Sequence, residues 1–217
     1  MSGMSAHDIP ATKIGIVRPV TLTPRVAGPG DLDAVVDTIT VAFHNDPVWS
    51  WAFPDEKARP AQFRRWWPLL VEGALAQGFS WISGGAETIT VWIGPNRPEL
   101  TDEAEARVLP TLEELLGARS RTVLEGLLRF EETHPHDKPH YYLSFVATHD
   151  DHRGKGIGEQ LLAQNLERID TEHLPAYLES SNPKNMERYR RLGFEPRAEF
   201  SMPDNGPPVT TMWRPAR

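Results

Sequence analysis

The sequence has no cysteine among its 217 residues. A disulfide scaffold, a thiolate zinc site and a cysteine nucleophile are therefore excluded, and so is a transfer reaction through an acyl-cysteine intermediate. No stretch approaches the roughly eighteen consecutive apolar residues of a membrane span. The N-terminal stretch also lacks the apolar core of a secretory signal. These absences predict a cytoplasmic protein that does not bind membranes.

Positive charge is scarce, with 23 lysines and arginines against 30 aspartates and glutamates, and the net charge is −7. Nucleic-acid binders normally present a basic face, so an acidic chain favours a cationic or neutral small partner.

The length predicts one domain over residues 21–217. Residues 1–20, which lack any hydrophobic period, are predicted to form a flexible arm. The sequence leaves monomer and homodimer equally open.

Hydrophobic periodicity predicts strands interleaved with helices, an α/β or α+β domain. Strands are expected near 21–26, in a hairpin over 79–95, at 141–148, at 175–181 and in a closing hairpin over 194–213. Helices are expected over 31–43 with Asp31 as N-cap, 58–78 with an interruption or kink near Pro68, 101–133 in two pieces, 158–173 and 183–193.

A glycine loop separates the strand at 141–148 from the next helix. It reads Arg153, Gly154, Lys155, Gly156, Ile157, Gly158. This spacing fits neither the triphosphate-binding G-x-x-x-x-G-K-[ST] loop nor the dinucleotide-binding G-x-G-x-x-G fingerprint. The loop still has the features of an anion cradle: amides free to turn, a helix N-terminus and two cationic side chains. A turn that only starts a helix is the alternative.

The strand, the loop pattern [RQ]-x-x-G-x-[GA] and the downstream element "NPKNMERYRRLGF" (182–194) together resemble the GCN5-related N-acetyltransferases (GNAT). Within that family, residues 141–214 are most similar to the puromycin acetyltransferase group and its actinobacterial relatives. The resemblance implies a GNAT fold, with a mixed, mostly antiparallel sheet of about seven strands flanked by helices. It implies acetyl-CoA as cosubstrate and no metal.

The resemblance also implies where acetyl-CoA binds. Its pyrophosphate is expected on the amides of residues 153–158, and its pantetheine arm along the strand at Val146, Ala147 and Thr148. Asn182 is expected to bond the pantetheine arm, with a turn residue before proline as the alternative. The strand at 141–148 is expected to splay from the one at 175–181, with the thioester in the gap.

For catalysis, the resemblance implies that Tyr189 is the general acid. A phenol, with an ordinary pKa near 10, is a competent proton donor to a thiolate leaving group; a half-buried packing tyrosine is the alternative. Glu179, on the strand flanking the gap, is the candidate base, although an outward carboxylate or an ion pair fits equally well. Asp46 is a second candidate base. Without cysteine, direct attack of the amine in a ternary complex is expected.

Two other clusters have simpler interpretations. His134, His136, Asp137 and His140 fall within "HPHDKPH", which we interpret as a solvated loop because it offers no ordered ligand shell for a metal. Six tryptophans fall between 49 and 92. Most are expected in the core, with one or two of Trp49, Trp51, Phe53 and Trp66 contacting substrate near Phe43 and Asn45.

These observations predict an acetyl-CoA-dependent N-acetyltransferase acting on the primary amine of a small molecule, such as an aminonucleoside or an antibiotic-like amine. A protein or peptide N-acetyltransferase and a non-catalytic acyl-CoA sensor remain alternatives. Tyr189 disfavours the sensor, because a pure binder has no need of a phenol at the sulfur.

Overall fold

The computed structural model of the chain describes residues 22–217. The predicted arm over residues 1–20 lies outside this range. The strands are β1 (Pro24–Val26), β2 (Trp81–Ser83), β3 (Thr88–Ile93), β4 (Tyr141–Thr148), β5 (Ala176–Ser180), β6 (Glu195–Ser201) and β7 (Pro208–Arg214). The helices are α1 (Leu32–Ala42), α2 (Pro47–Ala52), α3 (Arg59–Ala76), α4 (Asp102–Leu116), α5 (Ser120–Thr133), α6 (Ile157–Asp170) and α7 (Met186–Arg191).

Within residues 22–217, the seven strands form one mixed sheet in the order β1-β2-β3-β4-β5-β7-β6. Every pairing is antiparallel except that of β4 with β5. The predicted mixed, mostly antiparallel sheet is thus confirmed, as are both predicted hairpins. None of the helices in the described range has the length and apolarity needed to cross a membrane.

The structure adds one helix to the prediction and, of the interruption or kink expected near Pro68, excludes the interruption. α2 was not predicted; Asp46 begins it by accepting hydrogen bonds from the amides of Val48 (3.0 Å) and Trp49 (3.3 Å). α3 runs unbroken through Pro68, although proline removes one helical hydrogen bond. Fully buried neighbours on both sides, Trp67 among them, hold that part of α3 in the core.

The prediction that Asp31 caps α1 is correct in position and wrong in bonding. Asp31 occupies the N-cap position but makes no side-chain capping bond there. Its carboxylate instead accepts from the Arg25 guanidinium (2.6 and 2.8 Å) and from the amide of Gly28 (2.9 Å). The guanidinium lowers the pKa of Asp31 to about 2. The bonds therefore fasten the turn between β1 and α1 and not the helix end itself.

Hydrophobic cores cover both faces of the sheet. One contains aromatic side chains from α2 and α3, which are stabilised by burial at about 1.5–3 kcal/mol each. The other lies under α6, which is fixed to β3 by the buried Asn165. The Asn165 Oδ1 accepts from Thr90 Oγ1 at 2.6 Å and from Trp92 Nε1 at 3.1 Å. α6, and the glycine loop at its start, are therefore held rigidly over the centre of the sheet.

β4 and β5 part after a short stretch of pairing. Their parallel pairing covers only residues 141–143 against 176–178. On its other edge, β4 has a bulge: Trp92 pairs with Leu143 and Val91 with Phe145, which leaves Ser144 as the extra residue. A bulge bends its strand. From Ser144 onward β4 therefore leaves β5, which opens the gap that the resemblance implies.

Candidate active site

The gap between β4 and β5 opens into a cavity of about 800 Å³. α3, α4 and α5 form one wall, and β4, β5 and α7 form the other. Three of the predicted site residues line it: Val146, Glu179 and Tyr189. The helix wall is mostly apolar, with Leu70, Val108, Leu109, Leu124, Leu127 and Leu128, and Leu100 from the segment before α4 adds to it. The cavity thus has a polar end at the gap and an apolar body under the helices.

Tyr189 reaches the gap from α7 and is 5% exposed. Its ring packs edge-on against Phe194, with centroids 6.2 Å apart, and the Arg188 guanidinium lies 5.7 Å from its centroid. Burial raises the pKa of Tyr189. The phenol is therefore protonated at neutral pH, which is the state required of a proton donor.

Glu179 lies on β5 opposite Thr211 of β7, and its side chain is only 3% exposed. Its Oε1 is buried without a hydrogen-bond partner. The nearest basic atom is His134 Nδ1, at 3.8 Å. A buried carboxylate oxygen is costly unless it has a partner. Glu179 thus faces the cavity with capacity to bind a cation or a proton.

A second carboxylate, Glu99, faces the same end of the cavity and was not predicted. Its Oε1 accepts a hydrogen bond of 2.8 Å from Ser144 Oγ, the bulged residue of β4. Burial raises the pKa of Glu99 to about 7, and the Ser144 bond only partly offsets that. No lysine or arginine in residues 22–217 forms an ion pair with Glu99 or Glu179. The polar end of the cavity therefore suits a cation.

We expect Glu99→Gln to stabilise the protein at high pH. The folded pKa of Glu99 is about 7 and its ordinary value is 4.5, so between these values the folded state holds a proton that the unfolded state releases. Stability of the wild type therefore falls as pH rises through this window, whereas glutamine carries no such penalty. The gain, measured by urea unfolding, should be roughly 3 kcal/mol at pH 8 and nearly vanish at pH 4.

The exposed Glu113→Gln on α4 is the control for Glu99→Gln. It makes the same chemical change on a solvated helix face and should leave stability unchanged at both pH values. A gain for Glu99→Gln that is the same at pH 4 and pH 8 would contradict the raised pKa.

The glycine loop joins β4 to α6 outside the cavity. Gly154 and Gly156 have φ of +75° and +73°, the left-handed region that favours glycine. Within the described residues, no group accepts a hydrogen bond from the amides of residues 154–158. At Gly158 a Cβ would lie 2.6 Å from Thr148 Oγ1, so glycine lets α6 pack closely on β4. The loop therefore presents unpaired amides at a helix N-terminus, as an anion cradle requires.

The two cations of the loop are both engaged in the structure. Arg153 forms an ion pair with Asp150 (2.9 Å) and donates to the carbonyl of Ala42 (2.7 Å), while Lys155 donates to the carbonyl of Asp151 (2.9 Å). Their side chains are exposed. They fasten the loop to α1 and to itself while keeping positive charge beside the amides.

The other predicted cofactor residues lie between the loop and the cavity. Ala147 and Thr148 continue β4 from the cavity toward the loop, and neither lines the cavity. Asn182 follows β5, where its Oδ1 accepts from the amide of Lys184 at 3.1 Å. That bond is the turn role given above as its alternative. β4 thus connects the thioester gap to the anion cradle along one strand.

Asp46 does not lie in the cavity wall. Its Oδ1 caps α2 and its Oδ2 accepts from Ser181 Oγ at 2.7 Å. Burial raises the pKa of Asp46. The structure therefore gives this second candidate base a structural position, in which it ties α2 to the turn after β5.

The interpretation of "HPHDKPH" as a solvated loop is wrong for two of its histidines. His140 is 8% exposed, and its Nε2 lies 3.1 Å from the Nε2 of His134, which lines the cavity. No group of three metal-ligating side chains occurs among residues 22–217. Of the aromatic candidates, Phe43, Trp49 and Trp66 line the cavity, whereas Phe53 is buried away from it.

The sequence matches the model of one protein family, and many solved structures have a similar fold. The model of the acetyltransferase (GNAT) family matches residues 87–194. A Corynebacterium glutamicum protein, described as histone acetyltransferase HPA2 and related acetyltransferase, is 26% identical with a TM-score of 0.66, over 91% of this chain and 98% of that one. Arylalkylamine N-acetyltransferase 2 of Aedes aegypti is 13% identical (TM-score 0.60; 91% and 100% covered), and the polyamine N-acetyltransferase of Drosophila melanogaster, which forms N-acetylagmatine, is 14% identical (0.61; 90% and 100%).

Proposed function

Because the chain belongs to the acetyltransferase (GNAT) family, we propose that it transfers the acetyl group of acetyl-CoA to the primary amine of a small molecule. The observation that carries this proposal is the gap between β4 and β5, which opens into a cavity with carboxylates at the gap and apolar side chains beyond it. The amine attacks directly in a ternary complex, since the chain has no cysteine to carry the acetyl group.

The residues that would hold acetyl-CoA follow one another from the glycine loop along β4 to the gap. Acetyl-CoA would supply the activated acetyl thioester. The unpaired amides of residues 154–158 would hold the pyrophosphate. The edge of β4 at Val146, Ala147 and Thr148 is left unpaired by β5, and it would bond the pantetheine arm. Asn182 would assist from the far side of the gap. A β4 amide near Val146 would polarise the acetyl carbonyl, as donors of an oxyanion hole do.

The acceptor that we propose is a monoamine with a bulky apolar or aromatic body. Glu99 and Glu179 would receive its ammonium group at the gap, and neither is neutralised by lysine or arginine. The apolar helix wall, with Phe43, Trp49 and Trp66, would receive its body. An aminonucleoside of the puromycin type has this shape, and so does an arylalkylamine.

Thiol release from acetyl-CoA with a panel of amines tests this function. The panel includes puromycin, a phenylethylamine, agmatine, spermidine and a short peptide with a free N-terminus. We expect turnover, with higher kcat/KM for the aromatic monoamines than for the polyamines, because the helix wall is apolar. Tight CoA binding without turnover of any amine would contradict the proposal and favour a sensor.

A peptide acceptor is the second candidate, since the Corynebacterium glutamicum relative carries histone acetyltransferase in its description. If the acceptor is a peptide, the peptide in the same panel should have a higher kcat/KM than the small amines. A kcat/KM for the peptide above that of every small amine would identify the protein as a peptide N-acetyltransferase.

A further inference from the structure

Glu179 does not stand alone in the cavity wall but ends a chain of three polar side chains. His134 Nδ1 lies 3.8 Å from Glu179 Oε1. On its other side, His134 Nε2 lies 3.1 Å from His140 Nε2, and His140 Nδ1 lies 2.8 Å from the carbonyl of Lys138. The chain runs from the cavity to the loop before β4.

The bonding partners decide where the protons of this chain lie. A carbonyl only accepts, so His140 carries its proton on Nδ1, and burial lowers the pKa of His140 so that it is neutral. The lone pair of His140 Nε2 then accepts from the Nε2–H of His134. In a neutral His134, this leaves a lone pair on Nδ1 facing Glu179.

Two lone pairs face each other if Glu179 is ionised and His134 is neutral. A single proton shared by the pair removes this repulsion, either as a carboxylic acid beside a neutral imidazole or as a carboxylate beside an imidazolium. The hydroxyls of Tyr142 and Tyr177 are the other polar groups beside the carboxylate. At 3.8 Å, His134 Nδ1 and Glu179 Oε1 lie beyond hydrogen-bond distance, and Glu179 Oε1 has no hydrogen-bond partner in the structure, so it is free to take a proton. The geometry thus places a proton-accepting pair, and not a single carboxylate, at the gap.

Aromatic rings hold both imidazoles in this arrangement. His134 packs edge-on against both Tyr142 and Tyr177, whose ring centroids each lie 4.9 Å from its own. His140 packs on Tyr177 at 5.7 Å and on Trp213 at 5.3 Å. Rings packed in this way resist rotation, so the hydrogen-bond order of the chain is maintained.

We propose that His134, oriented by His140, takes the proton from Glu179 and releases it to solvent, so that the three side chains together form the base. This inference rests on the proposed function. The side chain of His134 is 20% exposed, against 3% for Glu179, so His134 is the member of the pair that water reaches more easily. His140 is a positioning residue, because it acts only through His134.

The proton balance of the transfer agrees with this chain. The substrate ammonium loses one proton to Glu179, which passes it to His134 and so to solvent. The freed amine forms the C–N bond and the thioester C–S bond breaks. Tyr189 gives its proton to the leaving sulfur and regains one from the amine nitrogen of the tetrahedral intermediate. The products are an amide, a thiol and one proton in water.

Other ionisable groups surround the chain and influence its titration. Carboxylates favour the imidazolium of His134, and cations oppose it. The ionisable groups that face these side chains are Glu99 from the segment before α4, Glu131 from α5, His136 and Lys138 from the loop, Tyr142 from β4 and Tyr177 from β5.

Titration of ¹⁵N-labelled imidazoles by NMR tests the chain without turnover. We expect His140 to be the Nδ1–H tautomer and neutral His134 the Nε2–H tautomer. Glu179→Gln should change the ¹⁵N shift of His134 Nδ1, because it replaces the facing carboxylate with an amide. His140→Phe keeps the aromatic packing but removes the acceptor, and should abolish the single tautomer of His134. If neither variant changed the tautomer or the Nδ1 shift of His134, the proposed Glu179–His134–His140 relay would be wrong, whichever amine the enzyme acetylates.

Kinetics provide the second test. We expect His134→Ala to lower kcat about tenfold or more at neutral pH, with the KM for acetyl-CoA unchanged, and added imidazole to restore part of it. The control is the exposed His173→Asn after α6, which should leave kcat and its pH profile unchanged and show no response to imidazole. An unchanged pH profile in His134→Ala would overturn the relay and leave the proposed acetyl transfer standing. Absence of turnover in the wild type would contradict the proposed function. The NMR experiment would still show whether Glu179, His134 and His140 have the proposed hydrogen-bond order.

Discussion

Tyr189→Phe is expected to reduce kcat by about 10²-fold or more, the range for loss of a general acid, equivalent to roughly 2.7 kcal/mol of transition-state stabilisation. Phenylalanine retains the ring that packs on Phe194, so the fold should not change. Only the hydroxyl, which the buried site keeps protonated, is lost. The dissociation constant for CoA should stay within about twofold, because the lost interaction forms in the transition state.

Tyr141→Phe is the matched control. It removes a hydroxyl from a buried tyrosine at the start of β4, but this hydroxyl donates to Glu172 (2.8 Å) and does not line the cavity. Its kcat should remain within about twofold of the wild type. Steady-state kinetics and calorimetry with CoA on both variants separate the two cases. Equal kcat for Tyr189→Phe and Tyr141→Phe would assign the proton donor elsewhere.

Much of this site could be predicted because its parts are local in sequence. β4 was predicted with its observed bounds, since an unbroken aromatic and β-branched run favours a buried strand. The glycine loop was recognisable because glycine at φ near +75° and a close packing at Gly158 leave a visible pattern. Each of these features depends on a few neighbouring residues.

The residues that were missed depend on contacts between distant segments. Glu99 accepts its hydrogen bond from Ser144, which lies 45 residues later in the sequence, and Ser144 is the bulged residue of β4. His134 and His140 lie in a segment rich in proline and charge, which is typical of a solvated loop. His140 is buried and His134 half-buried because β5 and β7 place Tyr177 and Trp213 beside them. Nothing in the local pattern signals that environment.

The acceptor is the least predictable part for the same reason. The helix wall of the cavity comes from α3, α4 and α5, which are ordinary amphipathic or apolar helices in sequence. What they enclose depends on how they pack over the gap between β4 and β5. A fold and a cofactor loop therefore identify the donor more readily than the acceptor.

Gly156→Ala is expected to weaken CoA binding about tenfold or more. Gly156 precedes α6 at φ +73°, and a Cβ there meets no protein atom within 4 Å, so it would project into the open space beside the unpaired amides. A hydrogen bond to a charged group contributes about 1.5–3 kcal/mol, so displacing the pyrophosphate from one amide accounts for this loss. Inorganic pyrophosphate should compete with CoA in the wild type and about tenfold less well in the variant.

Gly78→Ala separates this effect from backbone strain. Gly78 has φ +78° and the same open surroundings, but it lies in the turn before β2 and away from the loop. Both variants should lose about 1–2 kcal/mol of stability, the cost of an L-residue in the left-handed region. Only Gly156→Ala should change the dissociation constant for CoA, measured by calorimetry. Equal CoA affinity in both variants would mean that the glycines serve only to start α6, and the anion would then have to bind elsewhere along β4.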